Sequence, residues 1–288
     1  MGSPYRLQYN ISRMTDEVMV MIMNDFSEKA RFFYSKGKEK LEEGQLNESI
    51  KDLLYAQQLF STTGNDQYNA KALILLAEAY MEVNNKKQAK DAYVQAYTLF
   101  KKLGDKKNIA ECSFNLGKLN RELGDFIKSK FYFAEAIEIY SALKDAYMIG
   151  VVWREFAIAY QTFLPNVSEH PLHAINAYKR SISWFKKAKA QEEAMEVSYD
   201  LAQLLINNEK YKEAIEYLTR ISEYYIKNRK HEHAVTILLQ IGTTYMKLNE
   251  KKKAKEYLTK AKEYMKKSKT FKDEKIKELE RTIKSLFK

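Results

Sequence analysis

Apolar residues in this chain recur with the spacing of an α-helix, and a short polar break interrupts them about every twenty residues. In the stretch 105–145, Ile109, Leu116 and Leu119 follow a helical period that ends at Leu123-Gly124-Asp125. A second helical period follows, formed by Phe126, Phe133, Ala136, Ile137 and Tyr140. Glycine supplies the left-handed residue that closes a helix, and aspartate is a favoured N-cap for the next one. The pattern therefore predicts two helices joined by a tight turn, a helical hairpin.

The hairpin pattern repeats along the chain. Small residues recur 40 positions apart, with one interval of 45, at Gly37, Ala77, Gly117, Ala157, Ala202 and Gly242. A second column with this spacing holds Ser49, Ala89, Ser129, Ala174, Ala214 and Ala254, and a third holds Leu53, Tyr93, Phe133, Tyr178, Leu218 and Leu258. Such a period is typical of a solenoid, in which each unit buries its apolar face against its neighbours. We expect the small residues where the helices of a hairpin cross, and the large column in the gap between successive hairpins.

Extended along the chain, the pattern predicts an all-α protein in three parts. An N-terminal tail with a short Met-rich helix near 15–24 occupies residues 1–25, and the solenoid occupies 26–267. The solenoid contains six hairpins, near 26–62, 66–102, 105–143, 145–188, 190–228 and 230–267. A Lys-rich C-terminal part, 268–288, carries Ile276, Leu279, Ile283 and Leu286 at helical spacing, as expected of a helix that caps the open end of the stack.

The composition supports an all-helical chain and indicates its cellular compartment. Nine Gly and three Pro are too few for an all-β chain, which needs a turn every eight to twelve residues. No apolar run approaches the length of a membrane span, and no signal-peptide pattern is present. The single cysteine, Cys112, excludes an internal disulfide framework and fits a reducing compartment. We therefore expect a cytoplasmic protein.

The formal net charge of +11 is concentrated near the C-terminus. From Lys251 onward, fourteen lysines and Arg281 face six acidic residues, a net charge of +9, so the preceding residues are nearly neutral. A basic segment can attract nucleic acid or an anionic surface. The interspersed Glu256, Glu263 and Glu278 instead favour a solvated helix face, and nucleic acid is not the expected partner.

The residue pattern resembles the tetratricopeptide repeat (TPR) over nearly the whole chain. The resemblance is carried by a small residue, then Ala or Ser twelve positions later, a large residue after four more, and Ala after three more. It is present in Leu116-Gly117, Ser129, Phe133 and Ala136, and again in Ile241-Gly242, Ala254, Leu258 and Ala261. The family implies a right-handed superhelical solenoid whose first helices line a concave groove for a peptide or protein segment. The Lys-and-Asn clamp of chaperone-tail receptors is absent from the matching positions.

Units of 40 residues with long Tyr-rich and Lys-rich helices also resemble the bacterial Rap and NprR-type peptide-pheromone receptors. The stretch Phe114-Asn115-Leu116-Gly117 is similar to a segment whose Asn holds the backbone of a bound peptide in those receptors. The N-terminus resembles neither the helix-turn-helix nor the three-helix bundle that they carry. The resemblance therefore implies either a truncated form or one without an effector domain.

The groove geometry of the family selects residues that flank the small residue of each first helix. Eleven of them form the predicted peptide-binding site: Arg31, Tyr34, Lys38, Lys71, Glu78, Phe114, Asn115, Lys118, Arg154, Tyr199 and Gln203. The same geometry adds Ile74, Glu155, Asp200, Gln240 and Thr243. Amides can pair with a peptide backbone, aromatic rings provide contact area, and the cations can neutralise carboxylates. The alternative is that these residues only solvate the surface.

No residue set predicts catalysis, a metal site or a cofactor. His170 and His173 flank Pro171 without an acidic or Cys partner at ligand spacing, and Cys112 fits a small core residue. The favoured hypothesis is a non-catalytic module that binds a peptide or protein, as a regulator in bacterial peptide signalling in its narrower form. The alternatives are an assembly or oligomerisation scaffold and a nucleic-acid or anionic-surface binder that uses the basic C-terminal helix. The insertion at 164–171 predicts either a partner-contacting loop or a surface extension.

Overall fold

The computed structural model of the protein describes residues 25–163, 170–268 and 271–285, which form helices without a strand among them. The helices are α1 (Phe26–Glu42), α2 (Leu46–Thr62), α3 (Asp66–Glu82), α4 (Lys86–Leu103), α5 (Lys106–Glu122), α6 (Phe126–Ala142), α7 (Ala146–Phe163), α8 (His170–Lys187), α9 (Gln191–Asn207), α10 (Tyr211–Lys227), α11 (His231–Lys247), α12 (Lys251–Lys267) and α13 (Asp273–Ser285). The all-α prediction and the six hairpins are confirmed. The predicted helix near 15–24 and the insertion loop at 164–169 lie outside the described residues.

The turns between helices have the predicted chemistry. Gly104 adopts φ = 69° after α4, and the side chain of Asp105 then accepts a hydrogen bond from the backbone N–H of Asn108 at the start of α5. Six other turns place a residue other than glycine in the same left-handed conformation, for example Lys189 at φ = 60°. The backbone therefore forms the same turn whether or not glycine is available, at some conformational cost where it is not.

The small residues lie where the two helices of a hairpin cross, as predicted. A Cβ atom added to Gly117 would lie 2.5 Å from the ring of Phe133, and one added to Gly37 would lie 2.7 Å from Leu53. The hydroxyl of Ser49 donates to the carbonyl of Gly37 at 2.7 Å, which adds a hydrogen bond to the same crossing. We expected the large column between successive hairpins. In three hairpins its side chains, Leu53, Phe133 and Leu258, also lie against the glycine of their own hairpin, because that glycine leaves room for them.

The chain divides into two compact units, residues 1–139 and 140–288, with the boundary inside α6. In unit 1 the core is built on Leu76, Phe100 and Leu116, all fully or almost fully buried. In unit 2 it is built on Leu201, Leu218 and their neighbours from α7 to α12. Cys112 is part of the unit 1 core, and burial raises the pKa of its thiol to about 12, so the thiol remains protonated at neutral pH.

The predicted C-terminal helix is present as α13. Its buried Ile276 packs with Met265 and Val235 of the last hairpin, and Leu279 adds to this small apolar cluster. Lys262 and Lys266 of α12 both approach the carboxylate of Glu280, at 3.5 and 3.6 Å. This helix therefore covers part of the last hairpin, and its Glu280 neutralises part of the basic charge of α12.

The crossing at Gly117 predicts a stability difference between two glycines. Gly117→Ala should lower the free energy of unfolding by about 1–3 kcal/mol. The new methyl group overlaps the Phe133 ring, and the energetic cost of this overlap exceeds the gain from the better helix propensity of Ala. The matched control is Gly150→Ala in α7, where the added Cβ would lie 3.1 Å from Phe185 and a slight ring shift suffices. Urea denaturation followed by circular dichroism measures both. Equal stability of the two variants would contradict the close crossing.

Candidate functional site

The first helix of each hairpin carries the predicted site residues. In unit 1, helices α1, α3 and α5 hold eight of them, Arg31, Tyr34, Lys38, Lys71, Glu78, Phe114, Asn115 and Lys118. In unit 2, helices α7 and α9 hold Arg154, Tyr199 and Gln203. Arg31 and Lys38 are exposed, and the other nine are half-buried. We call the surface of α1, α3 and α5 the unit-1 wall, and the surface of α7, α9 and α11 the unit-2 wall.

The unit-1 wall gathers three of the predicted residues around Tyr68, in the first turn of α3. The ring of Tyr34 lies 5.9 Å from that of Tyr68, edge to face. The Arg31 guanidinium and the Lys71 ammonium both lie over the Tyr68 ring, 5.9 and 5.2 Å from its centre. Such contacts hold a cation at the surface without removing it from water. This end of the wall therefore presents two cations on an aromatic base.

Two carboxylates lie farther along the unit-1 wall. Burial and the nearby carboxylate of Glu111 raise the pKa of Glu78 above its usual range. Burial, together with Tyr68 and Glu78, also raises the pKa of Tyr34. The wall is thus cationic near α1 and acidic where α3 meets α5.

The predicted peptide-holding amide, Asn115, is half-buried on α5. Its Nδ2 donates to the backbone carbonyl of Glu111 in its own helix, at 3.2 Å. Beside it, the Lys118 ammonium lies 5.5 Å from the centre of the Phe114 ring, and that ring lies 6.3 Å from Phe133. A peptide backbone would have to compete with the Glu111 carbonyl for the Asn115 donor. The role of Asn115 in binding a peptide therefore stays a prediction.

Lys38 and Gln203 do not join these clusters. Lys38 pairs with Glu42 one turn along the exposed side of α1, at 3.7 Å. Gln203 lies on α9 close to the predicted residue Tyr199, but only Tyr199 lines the cavity described next.

The unit-2 wall contains a cavity of about 340 Å³. Its lining comes from α7, α9 and α11 and from the second helix α10: Arg154, Glu196, Tyr199, Asp200, Ile221, Tyr225, His233, Thr236 and Ile237. The volume lies within the range of pockets that bind small ligands or single side chains. Three successive first helices therefore meet at one concave site, which includes the predicted Arg154, Tyr199 and Asp200.

Arg154 bridges α7 to α9 at the rim of this cavity. Its Nε and Nη2 donate to one carboxylate oxygen of Asp200 at 2.9 and 2.8 Å, and its Nη1 lies 3.5 Å from Glu196. One guanidinium is thus shared by two carboxylates. The rim is polar and close to solvent, because the Glu196 side chain is 52% exposed.

The floor of the cavity is apolar and aromatic. Ile221 is fully buried, Ile237 nearly so, and the His233 ring lies 5.0 Å from the ring of Tyr225. Burial raises the pKa of Tyr225, and the carboxylates of Glu192 and Glu196 raise it further. The floor therefore exposes mainly apolar and aromatic groups, and it lies within the field of the acidic rim.

Several of these residues were missed by the sequence pattern. Tyr68 lies outside the positions taken from the family geometry. Glu111 and Glu196, however, occupy the same column as Arg31 and Lys71, six residues before the small residue. Applying that column to every hairpin would have found both carboxylates. Ile221 and Tyr225 lie on a second helix, where no first-helix column reaches.

Other chemistries have little support among the described residues. They hold no group of three or more His, Cys, Asp or Glu side chains that could bind a metal ion. None of the helices in this part of the chain is long and apolar enough to cross a membrane. Nucleic-acid binding by the Lys-rich segment, which the sequence did not favour, stays an alternative hypothesis.

Sequence comparison identifies a repeat family. Two family models, both described as tetratricopeptide repeat, match this chain, one at residues 193–267 and the other at 70–107 and 110–143, together just over half of the sequence. No curated protein matches the chain.

Several solved structures have a similar fold. A Rap protein in complex with Competence and Sporulation Factor is 14% identical with a TM-score of 0.55, and the match covers 90% of this chain and 76% of that one. Aspartyl phosphate phosphatase F from Bacillus subtilis is 14% identical (TM-score 0.56; coverage 86% and 62%). A signal transduction ATPase with a tetratricopeptide repeat sensor, from Pyrococcus horikoshii, is 16% identical (TM-score 0.63; coverage 93% and 40%). At these identities the similarity establishes a shared fold, and the chain spans less than two thirds of each of the last two proteins.

Proposed function

Because this chain belongs to the tetratricopeptide repeat family, we propose that it is a non-catalytic module that binds a peptide or protein segment on the walls of its first helices. The observation that carries the proposal is the unit-2 cavity, in which residues from three successive first helices converge above an apolar floor. Aromatic anchors in a water-excluding pocket are the usual source of binding energy at such sites. The cations over Tyr68 on the unit-1 wall supply a second contact surface.

The narrower form of the proposal is a regulator in bacterial peptide signalling. Its support is the fold shared with a Rap protein that was solved with Competence and Sporulation Factor bound. The fold shared with a sensor from a signal transduction ATPase is consistent with the same role, recognition of a signal by the repeats. Since the similarity concerns the fold, the ligand has to be found by experiment.

The test is selection of ligands from a displayed peptide library with the full chain, followed by fluorescence anisotropy of the selected peptides. Tyr199→Ala should weaken binding about tenfold or more, because it removes an aromatic contact from the cavity lining. The matched control is Tyr55→Ala, which removes an aromatic ring that is 41% exposed on the second helix α2. Failure to select any peptide, or equal loss of affinity in the two variants, would contradict the proposal.

A second candidate function is self-assembly through the outer side of α6. Ile127 and Phe131 lie one turn apart on this helix and are 82% and 59% exposed, which is unusual for large apolar side chains. If they form an interface between copies of this chain, Ile127→Glu should convert a concentration-dependent oligomer into a monomer. Sedimentation equilibrium measures this, and a wild-type chain that is monomeric at all concentrations would exclude it.

A further inference from the structure

The unit-2 cavity has a lining of two kinds. Ile221, Ile237 and Tyr225 form a floor that is at most 8% exposed. Such a floor favours an apolar group of the ligand, because each methylene that leaves water adds to the affinity. The charged residues lie at the rim, near solvent. A ligand that fills the cavity therefore needs an apolar stem and a polar or charged end.

The rim has one negative charge in excess. Arg154 contributes one positive charge, whereas Glu196 and Asp200 contribute two negative charges. Lys230, three residues before His233, forms an ion pair with Glu192 instead. The local charge therefore favours a cationic end group on the ligand.

Arg154 is poorly placed to receive an anion. Two of its nitrogens already donate to Asp200, at 2.9 and 2.8 Å, so a ligand carboxylate would have to displace that contact. It would also lie beside Glu196, which would repel it. Glu196 is different, because its nearest contact to Arg154 is long, at 3.5 Å, and half of its side chain is in solvent. It can accept a hydrogen bond from an incoming cation at little cost.

We infer that the unit-2 cavity selects a lysine or arginine side chain of the bound segment. The methylene stem lies against the floor formed by Ile221, Ile237 and Tyr225, and the cationic head reaches Glu196. The ring of Tyr199, which also lines the cavity, adds an aromatic contact for the same cation. This inference rests on the proposed peptide-binding function and gives it a specificity.

The test compares probes that differ in one side chain. Isothermal titration of the full chain would use three capped tripeptides, acetyl-Leu-X-Leu-amide with X as lysine, norleucine or glutamate, and cadaverine as a free diamine. We expect the lysine peptide to bind about tenfold more tightly than the norleucine peptide, since a charge-assisted hydrogen bond is added to the same stem. The glutamate peptide and cadaverine should bind more weakly than the lysine peptide.

Substitutions at the rim identify the residue that recognises the charge of the ligand. Glu196→Gln should weaken the lysine peptide about tenfold and leave the norleucine peptide unchanged. Glu216→Gln is the matched control, because Glu216 is exposed on α10 and does not line the cavity. Asp200→Asn should release Arg154 and improve binding of the glutamate peptide. Such an improvement would show that the contact with Asp200 normally keeps the Arg154 guanidinium from binding an anion.

Four outcomes would overturn the inference. They are equal affinity for the lysine and norleucine peptides, tightest binding of the glutamate peptide, cadaverine binding as tightly as the lysine peptide, and no binding of any probe. The proposed function is judged separately by the library selection. If selected peptides lose affinity in Tyr199→Ala but show no preference for lysine or arginine, the specificity is wrong and the peptide-binding function stands.

Discussion

Phe133→Ala should lower the free energy of unfolding by about 3–5 kcal/mol, the cost of emptying a large aromatic site in a closely packed core. Phe133 is fully buried, and its ring lies directly on Gly117 of the same hairpin. The space left by the ring cannot be filled locally, because the facing residue has no side chain. Chemical denaturation followed by circular dichroism measures the loss.

Phe131→Ala provides the matched control on the same helix. Phe131 precedes Phe133 by two residues and is 59% exposed, so its removal should change stability by about 0.5 kcal/mol or less. A double variant with Gly117→Ala adds a second check. The methyl group that overlaps Phe133 in the wild type should be tolerated once the ring is gone, giving a non-additive effect. Strict additivity would mean that Gly117 and Phe133 do not share one packing site.

The repeat was predictable because each hairpin satisfies the same local rules. Three features recur at fixed spacing, and each is compatible with one local structure. They are the small residue at the crossing, a turn such as Gly104-Asp105, and a large residue such as Phe133. Helix bounds were therefore readable to within a few residues. The six turns that use a residue other than glycine in the left-handed conformation could not be read from residue type, only from the period.

The candidate site was predictable in position but not in its contacts. Arg154, Tyr199 and Asp200 were expected on one side of their helices from their spacing to the small residue, and all three line the same cavity. The sequence could not show that Arg154 reaches across to Asp200, since the contact joins residues 46 positions apart. Nor could it show that Tyr225 of a second helix forms the floor. Such contacts depend on how neighbouring hairpins pack and on side-chain rotamers.

The second large effect concerns Glu135, a mostly buried carboxylate on α6 within unit 1. It accepts hydrogen bonds from Tyr97 at 2.8 and 3.0 Å and from Ser113 at 2.7 Å, and it pairs with Lys101 at 2.9 Å. The donors come from α4 and α5, so one side chain connects three helices. Glu135→Ala should cost about 2–4 kcal/mol, because the buried Ser113 hydroxyl and its neighbours lose their acceptor.

Glu135 also predicts a pH dependence with a definite sign. Burial alone would raise the pKa of its carboxyl group, but the hydrogen bonds from Ser113, Lys101 and Tyr97 outweigh burial and lower the pKa below its usual range. The folded state therefore favours the carboxylate more than the unfolded state does. Its contribution to stability is complete above the ordinary glutamate pKa of about 4.3 and is lost as the pH falls through the lowered folded value.

Glu135→Gln separates the charge from the hydrogen-bond acceptor. The amide keeps an acceptor oxygen for Ser113 but cannot titrate, so the variant should be less stable than wild type at pH 7 and closer to it at pH 3. Glu138→Gln, an exposed acid on the same helix, is the control and should leave the difference between the two pH values nearly unchanged. Urea denaturation at both pH values measures the effect. If Glu135→Gln has the same stability deficit at pH 3 as at pH 7, the network acts through its shape alone, and the carboxylate charge does not hold α4, α5 and α6 together.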